Sequence, residues 1–436
     1  MTNIRWRVLA VLFFATTINY IDRNVLSFVM TSDGFKTDLL GLPAGQPLDE
    51  AAQAHFKEVM GYVDACFKFA YAAGFLLVGW LMDRLGVRLG YAISIVVWTL
   101  ASVAQGFAGA AKGLGMSRIV LGVGEAGNFP ASIKTVSEWF PQRERSFATG
   151  LFNAGANMGI IVTAFFVPRM VETYGWRSPF FITGLLGALL LLAWWLNYRR
   201  PHEHPLIGEA EKKYIQQDGD VAAENSKPIK WGRLLGIRQT WAVASGKFLT
   251  DPIWWLYLTW LPTFFSENQN FEEKLDFKTI GVPFLVIYFV SDLGSIFFGW
   301  LSSKLLQIGW PVNRARKITM LAAALCVVPV FLSAFTHSIP VAVGLIALAT
   351  AAHQGWSANM YTLASDMFPQ RAVGSVIGIA GMSGAVGGTI LAAVAGVIYG
   401  RFGPSPLFVM ASGMYLLGLL VIHLLAPRLE KVELSE

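Results

Sequence analysis

The chain alternates long apolar runs with short polar breaks. A membrane-spanning helix needs about 20 mostly apolar residues. Runs of that kind fall at about 6–30, 59–81, 89–109, 115–139, 147–168, 178–198, 240–265, 279–302, 317–336, 339–363, 372–399 and 405–427. The pattern predicts an all-α membrane protein of twelve transmembrane helices. The longest polar interval is 199–239, with Arg-Arg-Pro-His-Glu-His, Glu-Lys-Lys and Gln-Gln-Asp-Gly-Asp, and it parts the sixth run from the seventh. Three regions follow: a six-helix bundle over 1–198, a linker over 199–239 and a second six-helix bundle over 240–436.

The two bundles repeat one another. Residues 137–159 and 365–387 align 228 residues apart: Ser, an acid, Phe-Pro-Gln-Arg, then Gly150 with Gly378 and Gly159 with Gly387. A weaker echo, Gly79-Trp80-Leu81 and Gly299-Trp300-Leu301, lies 220 residues apart. Paired halves in an apolar chain predict a pseudo-symmetric transporter with its site between the halves.

Composition agrees. Hydrophobic residues make up 54% of the chain and charged residues 14%, against about 25% charged in a soluble domain. The mean hydropathy is +0.51 and the pI about 9.2. The basic residues are scattered at loop ends, which argues against nucleic acid and reads as a topology signal. With both termini in the cytoplasm, most of the 34 Lys and Arg lie on the cytoplasmic side. Only Lys36, Lys57, Lys112, Arg169, Arg177, Lys274, Lys278 and Arg401 fall on the other side, so the positive-inside bias favours this orientation. Segment 31–57 is then an external loop. Cys66 and Cys326 sit inside apolar runs, with no disulfide framework or zinc spacing. The first run starts at Trp6 and carries Asp22 and Arg23, which does not read as a cleavable signal peptide.

Gly79-Trp80-Leu81-Met82-Asp83-Arg84-Leu85-Gly86-Val87-Arg88 resembles the signature loop of the major facilitator superfamily between spans two and three. Gly86 permits a tight turn, and Asp83, Arg84 and Arg88 are gating candidates that pair with neighbouring helix ends. In the second half Ser303 replaces the acid. Asn19-Tyr-Ile-Asp-Arg23, Arg118 through Pro130 and Trp139 through Arg145 resemble the anion:cation symporter family, which includes bacterial importers of sugar acids. Gly246 through Trp255 and Ala352 through Asn359 resemble its hexuronate transporters. The resemblance implies proton-coupled import, by alternating access, of a hexuronate (glucuronate or galacturonate) or, as the alternative, of an aldonate, aldarate or other organic anion of the same family. It also implies a bacterial inner-membrane location, an organic anion and the lipid bilayer as partners, a monomer, and no cofactor beyond the coupling proton.

Charges inside spans are costly and need a reason. Arginine holds a carboxylate bidentately and keeps its charge. Asn19 and Arg23 are four apart on one helix face; Arg118 and Glu125 are seven apart, roughly 10 Å of rise. Arg23 and Arg118 either take the substrate's carboxylate or only brace helices one and four through Asp22 and Glu125. Asp22 and Glu125 are the proton-coupling candidates, because a neighbouring cation that engages substrate changes their proton affinity. Asp64/Lys68 and Lys247/Asp251 read first as i,i+4 ion pairs. Tyr20, Tyr71, Asn157, Gln354, Trp356, Ser357 and Asn359 complete a sugar site, or else make helix–helix hydrogen bonds. No Walker motif, metal cluster or catalytic triad is present in the sequence. An enzyme would show acids and histidines clustered at one membrane face, and a cation exporter would not carry Arg23 and Arg118.

Overall fold

The structure, a computed structural model, describes all residues except 1, 44–47, 218–228, 230, 268–270, 272–280 and 434–436. Its first half comprises α1 (Ile4–Val29), α2 (Asp33–Leu40), α3 (Glu50–Leu85), α4 (Val87–Gly106), α5 (Ala111–Glu125), α6 (Asn128–Trp139), α7 (Gln142–Tyr174) and α8 (Ser178–Asn197). Two short helices, α9 (Glu209–Gln216) and α10 (Trp231–Leu235), follow. The second half comprises α11 (Arg238–Glu267), α12 (Gly281–Gln307), α13 (Val312–Val327), α14 (Ile339–Met367), α15 (Gln370–Phe402) and α16 (Ser405–Leu425). These helices make twelve spans in two six-helix bundles. The expected linker, 199–239, lies partly outside the described residues, as do Lys274 and Lys278.

Ten described helices are long and apolar enough to cross a membrane singly. The other two spans have local reasons for failing that test. Span four is two helices, because α5 ends at Glu125 and α6 begins at Asn128. Pro130 cannot donate an N–H back to Ala126, so a continuous helix loses a bond at this point. Span seven, α11, carries Lys247, Asp251 and four tryptophans. Span nine changes to a 3-10 helix over Val328–Ala334, where Pro329 stands at its start. Segment 31–57 is partly helical: α2 lies within it, and Asp49 caps α3 by accepting from Ala52 N–H at 2.7 Å.

The repeated Phe-Pro pairs turn the chain. Phe140 and Phe368 end α6 and α14 in extended conformation, and Pro141 and Pro369 start α7 and α15. A residue before proline is pushed out of the helical region, so both turns have one cause. Gly86 links α3 to α4 at φ 78°, a left-handed value open to glycine.

Across the bundles α3 packs on α15 and α7 on α12. The repeated glycines sit at these crossings. A Cβ on Gly79 would meet Gly374 O and lie 3.2 Å from Gly378 Cα, and one on Gly299 would meet Ser146 O and lie 3.4 Å from Gly150 Cα. Backbones approach this closely only where side chains are absent. Both crossings lie toward the end of the molecule that carries the chain termini.

Candidate functional site

Between the bundles, on the side away from those crossings, lies a cavity of about 330 Å³. That is within the range of small-molecule sites. The first bundle lines it with Tyr20, Arg23, Phe67, Lys68, Tyr71, Arg118 and Asn153, and the second with Lys247, Asp251, Trp254, His353, Gln354, Ser357 and Tyr361, among others.

Arg23 is the centre of the first-half wall. Its Nε donates to Glu125 Oε2 at 2.8 Å, and one terminal nitrogen reaches Asn19 Oδ1 at 3.5 Å. The guanidinium lies 4.7 Å from the Tyr20 ring centroid and 4.4 Å from that of Tyr71. Two aromatic faces and a carboxylate therefore fix its plane while leaving part of the fork toward the cavity. Arg118 donates to Arg23 O at 3.4 Å and stands 4.3 Å from the Phe67 centroid. Its Nε, Asn19 Nδ2 and Glu125 Oε1 have no hydrogen-bond partner among the described residues.

The ion pair differs from both sequence pairings. Arg23 bonds to Glu125, and Asp22 points the other way, accepting from Ser102 Oγ at 2.8 Å on α4. Consecutive helical residues are about 100° apart, so Asp22 faces α4 and α8 while Arg23 faces the cavity. Glu125 reaches Arg23 from the end of α5, at the break in span four. Neither Asp22 nor Glu125 lines the cavity.

Asn153 of the first bundle donates across to the second-half wall, to Gln354 Oε1 at 2.8 Å and Ser295 Oγ at 3.0 Å. Lys247 pairs with Asp251 at 2.8 Å and donates to Tyr361 Oη at 3.2 Å. Lys68 pairs with Asp64 at 2.7 Å, and both side chains are about half exposed at the rim, 51% and 50%. His353 stacks on Trp254 with centroids 5.0 Å apart and shares a 2.6 Å hydrogen bond with Tyr415 Oη.

Four residues expected at the site do not line it. Asn157 is buried and donates to Asp292 Oδ1 at 2.8 Å, leaving Asn153, one turn earlier, at the cavity. Trp356 donates to Thr250 Oγ1 at 3.1 Å inside the second bundle. Asn359 donates to Gly355 O and accepts from Ser146 Oγ. Asn19 stands behind Arg23. His353 and Tyr361 were not singled out from sequence, although Gln354, Ser357 and Tyr361 step along one face at helical spacing.

The terminus end is shut. Asp83 pairs with Lys134 at 2.6 Å and accepts backbone N–H bonds from Gly374 and Ser375, at 3.2 and 2.7 Å, at the start of α15. Ser303, at the matching place in the second half, accepts from Phe147 N–H of α7 at 3.1 Å. Arg316 binds Asp366 Oδ2, Ser146 Oγ, Ser302 Oγ and Gln142 O within 2.9 Å. Arg145 reaches across to Ser365 O at 2.9 Å. Of the three gating candidates only Asp83 crosses between bundles. Arg84 stacks on Trp80, and Arg88 lies over Trp195 and donates to its carbonyl. Lys134, Arg145 and Arg316 were missed; the signal available was a buried cation beside each repeated loop.

Twelve spans, a repeat, and a charged cavity closed at one end define a membrane transporter. The chain matches the family described as Major Facilitator Superfamily over residues 12–392 and belongs to it. It is a transporter, not an enzyme. It is 30% identical over 439 residues to the hexuronate transporter of Escherichia coli (strain K12), covering 100% of this chain and 96% of that one. It is 29% identical to the D-galactonate transporter of E. coli O6:H1, covering 98% and 97%. Its fold matches the proton:xylose symporter XylE with a TM-score of 0.73 at 16% identity, covering 95% and 94% of the two chains.

Proposed function

We propose that the protein is a proton-coupled symporter that imports a sugar acid, a hexuronate such as glucuronate or galacturonate, by alternating access. On this reading it works as a monomer in a bacterial inner membrane with both termini in the cytoplasm, and uses the proton and no cofactor. The observation that carries the reading is Arg23, held by Glu125, Tyr20 and Tyr71 at the wall of a cavity whose far side offers Gln354 and Ser357. The guanidinium takes the carboxylate and the second half reads hydroxyls. Arg118 adds positive charge. A carboxylate arriving at Arg23 competes with Glu125, which then gains affinity for a proton; Asp22, next to Arg23 on α1 but turned toward Ser102 of α4, is the second candidate acid. The names of the relatives support a sugar acid. The Lys and Arg bias supports the orientation.

A dicarboxylate such as an aldarate is the second reading. Lys68 favours it, because a half-exposed ammonium at the rim could meet a second carboxylate. Lys68 and Lys247 each already face an aspartate, which supports the monocarboxylate. The test is competition for uptake into vesicles holding the purified protein. Glucuronate or galacturonate should compete at lower concentration than glucarate or galactarate. Equal or stronger competition by the dicarboxylates would refute the hexuronate reading.

A further inference from the structure

Asp292 is the one acid of α12, near the middle of that span, where α12 packs on α7 of the other bundle. Unlike Asp64 and Asp251 it has no basic residue three or four positions away. The residue is 8% exposed. No ion pair among the described residues reaches it, and its hydrogen bond comes from Asn157 Nδ2, 2.8 Å away across the interface. The same nitrogen reaches Ser291 Oγ at 3.3 Å, whose hydroxyl donates to Thr350 O. The other atom of the amide, Asn157 Oδ1, is buried with no partner.

An amide facing an ionised carboxylate can satisfy only its N–H. Facing a carboxylic acid, it donates through nitrogen and accepts the acid's O–H through oxygen, so the pair closes with two hydrogen bonds. A buried carboxylate without a counter-ion and a buried carbonyl without a donor are both costly. One proton on Asp292 removes both costs. The neighbouring elements supply no substitute charge. On α14 the nearest titratable side chain is His353, bonded to Tyr415; on α12 it is Tyr288. The charges of α7 (Arg143, Glu144, Arg145, Arg169, Glu172) and of α13 (Arg314, Arg316, Lys317) stand toward the ends of those helices.

We propose that Asp292 is a proton-binding site, and that its acid–amide pair with Asn157 is a proton-dependent latch between the two bundles. While the bundles are packed at this level the acid keeps its proton. When α7 and α12 part, water reaches the carboxyl and the proton leaves. This deepens the coupling part of the proposed function and rests on it for its role in transport, but not for the protonation itself.

Infrared difference spectroscopy of the protein in lipid, titrated from about pH 5 to about pH 9, covers the range in which buried acids ionise. A carbonyl band of a protonated carboxylic acid should persist at neutral pH in wild type and be missing in Asp292→Asn, with an unchanged unfolding temperature. Should that variant not fold, Asn157→Ser should shift the frequency of the same band, since the acid's O–H loses its acceptor. In vesicles Asp292→Asn should retain substrate exchange and lose at least about tenfold in accumulation driven by a pH gradient, about 1.4 kcal/mol. An unchanged band in Asp292→Asn, or an unshifted one in Asn157→Ser, would overturn the site. Wild-type accumulation in the variant would overturn the latch. Wild-type protein that does not accumulate substrate on a pH gradient would instead sink the coupling reading, with the band still deciding the proton on Asp292.

Discussion

The cavity and the terminus-end closure are built from the same two bundles and the same kinds of side chain, yet they use charge in opposite ways. At the closure the hydrogen-bonding capacity of each cation is largely filled: Arg316 makes four bonds to one carboxylate, two hydroxyls and a carbonyl. At the cavity wall Arg118 Nε, and behind it Asn19 Nδ2, have no hydrogen-bond partner among the described residues. Saturated charges hold helices together. Unsaturated ones, kept in place by aromatic faces and a single ion pair, leave capacity for an anion. The closure is therefore read as structure that must break during transport, and the cavity as structure that must bind.

Removing a charge from each region sharpens the contrast. Asp366→Ala leaves Arg316 as an uncompensated buried cation, and should cost roughly 3–5 kcal/mol of stability. Thermal unfolding of the purified variant measures this. Substrate affinity should change far less, because Asp366 lies away from the cavity lining. A variant that keeps wild-type stability but loses binding would erase the distinction. A smaller effect is expected at the site from Asn153→Ala, which deletes the bonds to Gln354 and Ser295. Loss of a neutral hydrogen bond there should cost about 1 kcal/mol of stability. Affinity should fall by several-fold as Gln354 loses its orientation, read by a ligand titration.

Much of this contrast was legible in the sequence. The paired glycines, 79 with 299 and 150 with 378, announced a repeat, and they turn out to be the backbone crossings that pack the closure. The Phe-Pro pairs announced two turns. Arg23, Arg118, Tyr20, Tyr71, Gln354 and Ser357 were expected at the cavity and line it. The rest failed for one physical reason. Helical spacing tells which residues share a face, not which way the face points. Asp22 and Arg23 are neighbours in sequence and serve different helix contacts. Asn153 and Asn157 share a face and both meet α12, yet only the former also reaches Gln354 and lines the cavity. Trp356 and Asn359 sit on the sides of α14 turned from it. The break at Ala126–Gly127, which delivers Glu125 to Arg23, was hidden within a run read as one helix.

The central claim is that Arg23 at the cavity wall takes a substrate carboxylate, and a calorimetric titration of purified protein with glucuronate, wild type against Arg23→Lys, tests it most directly. The lysine keeps the charge and loses the planar fork. The account predicts at least about a tenfold weaker affinity, near 1.4 kcal/mol, in a variant that unfolds at the wild-type temperature. Equal affinity in the two proteins would contradict it.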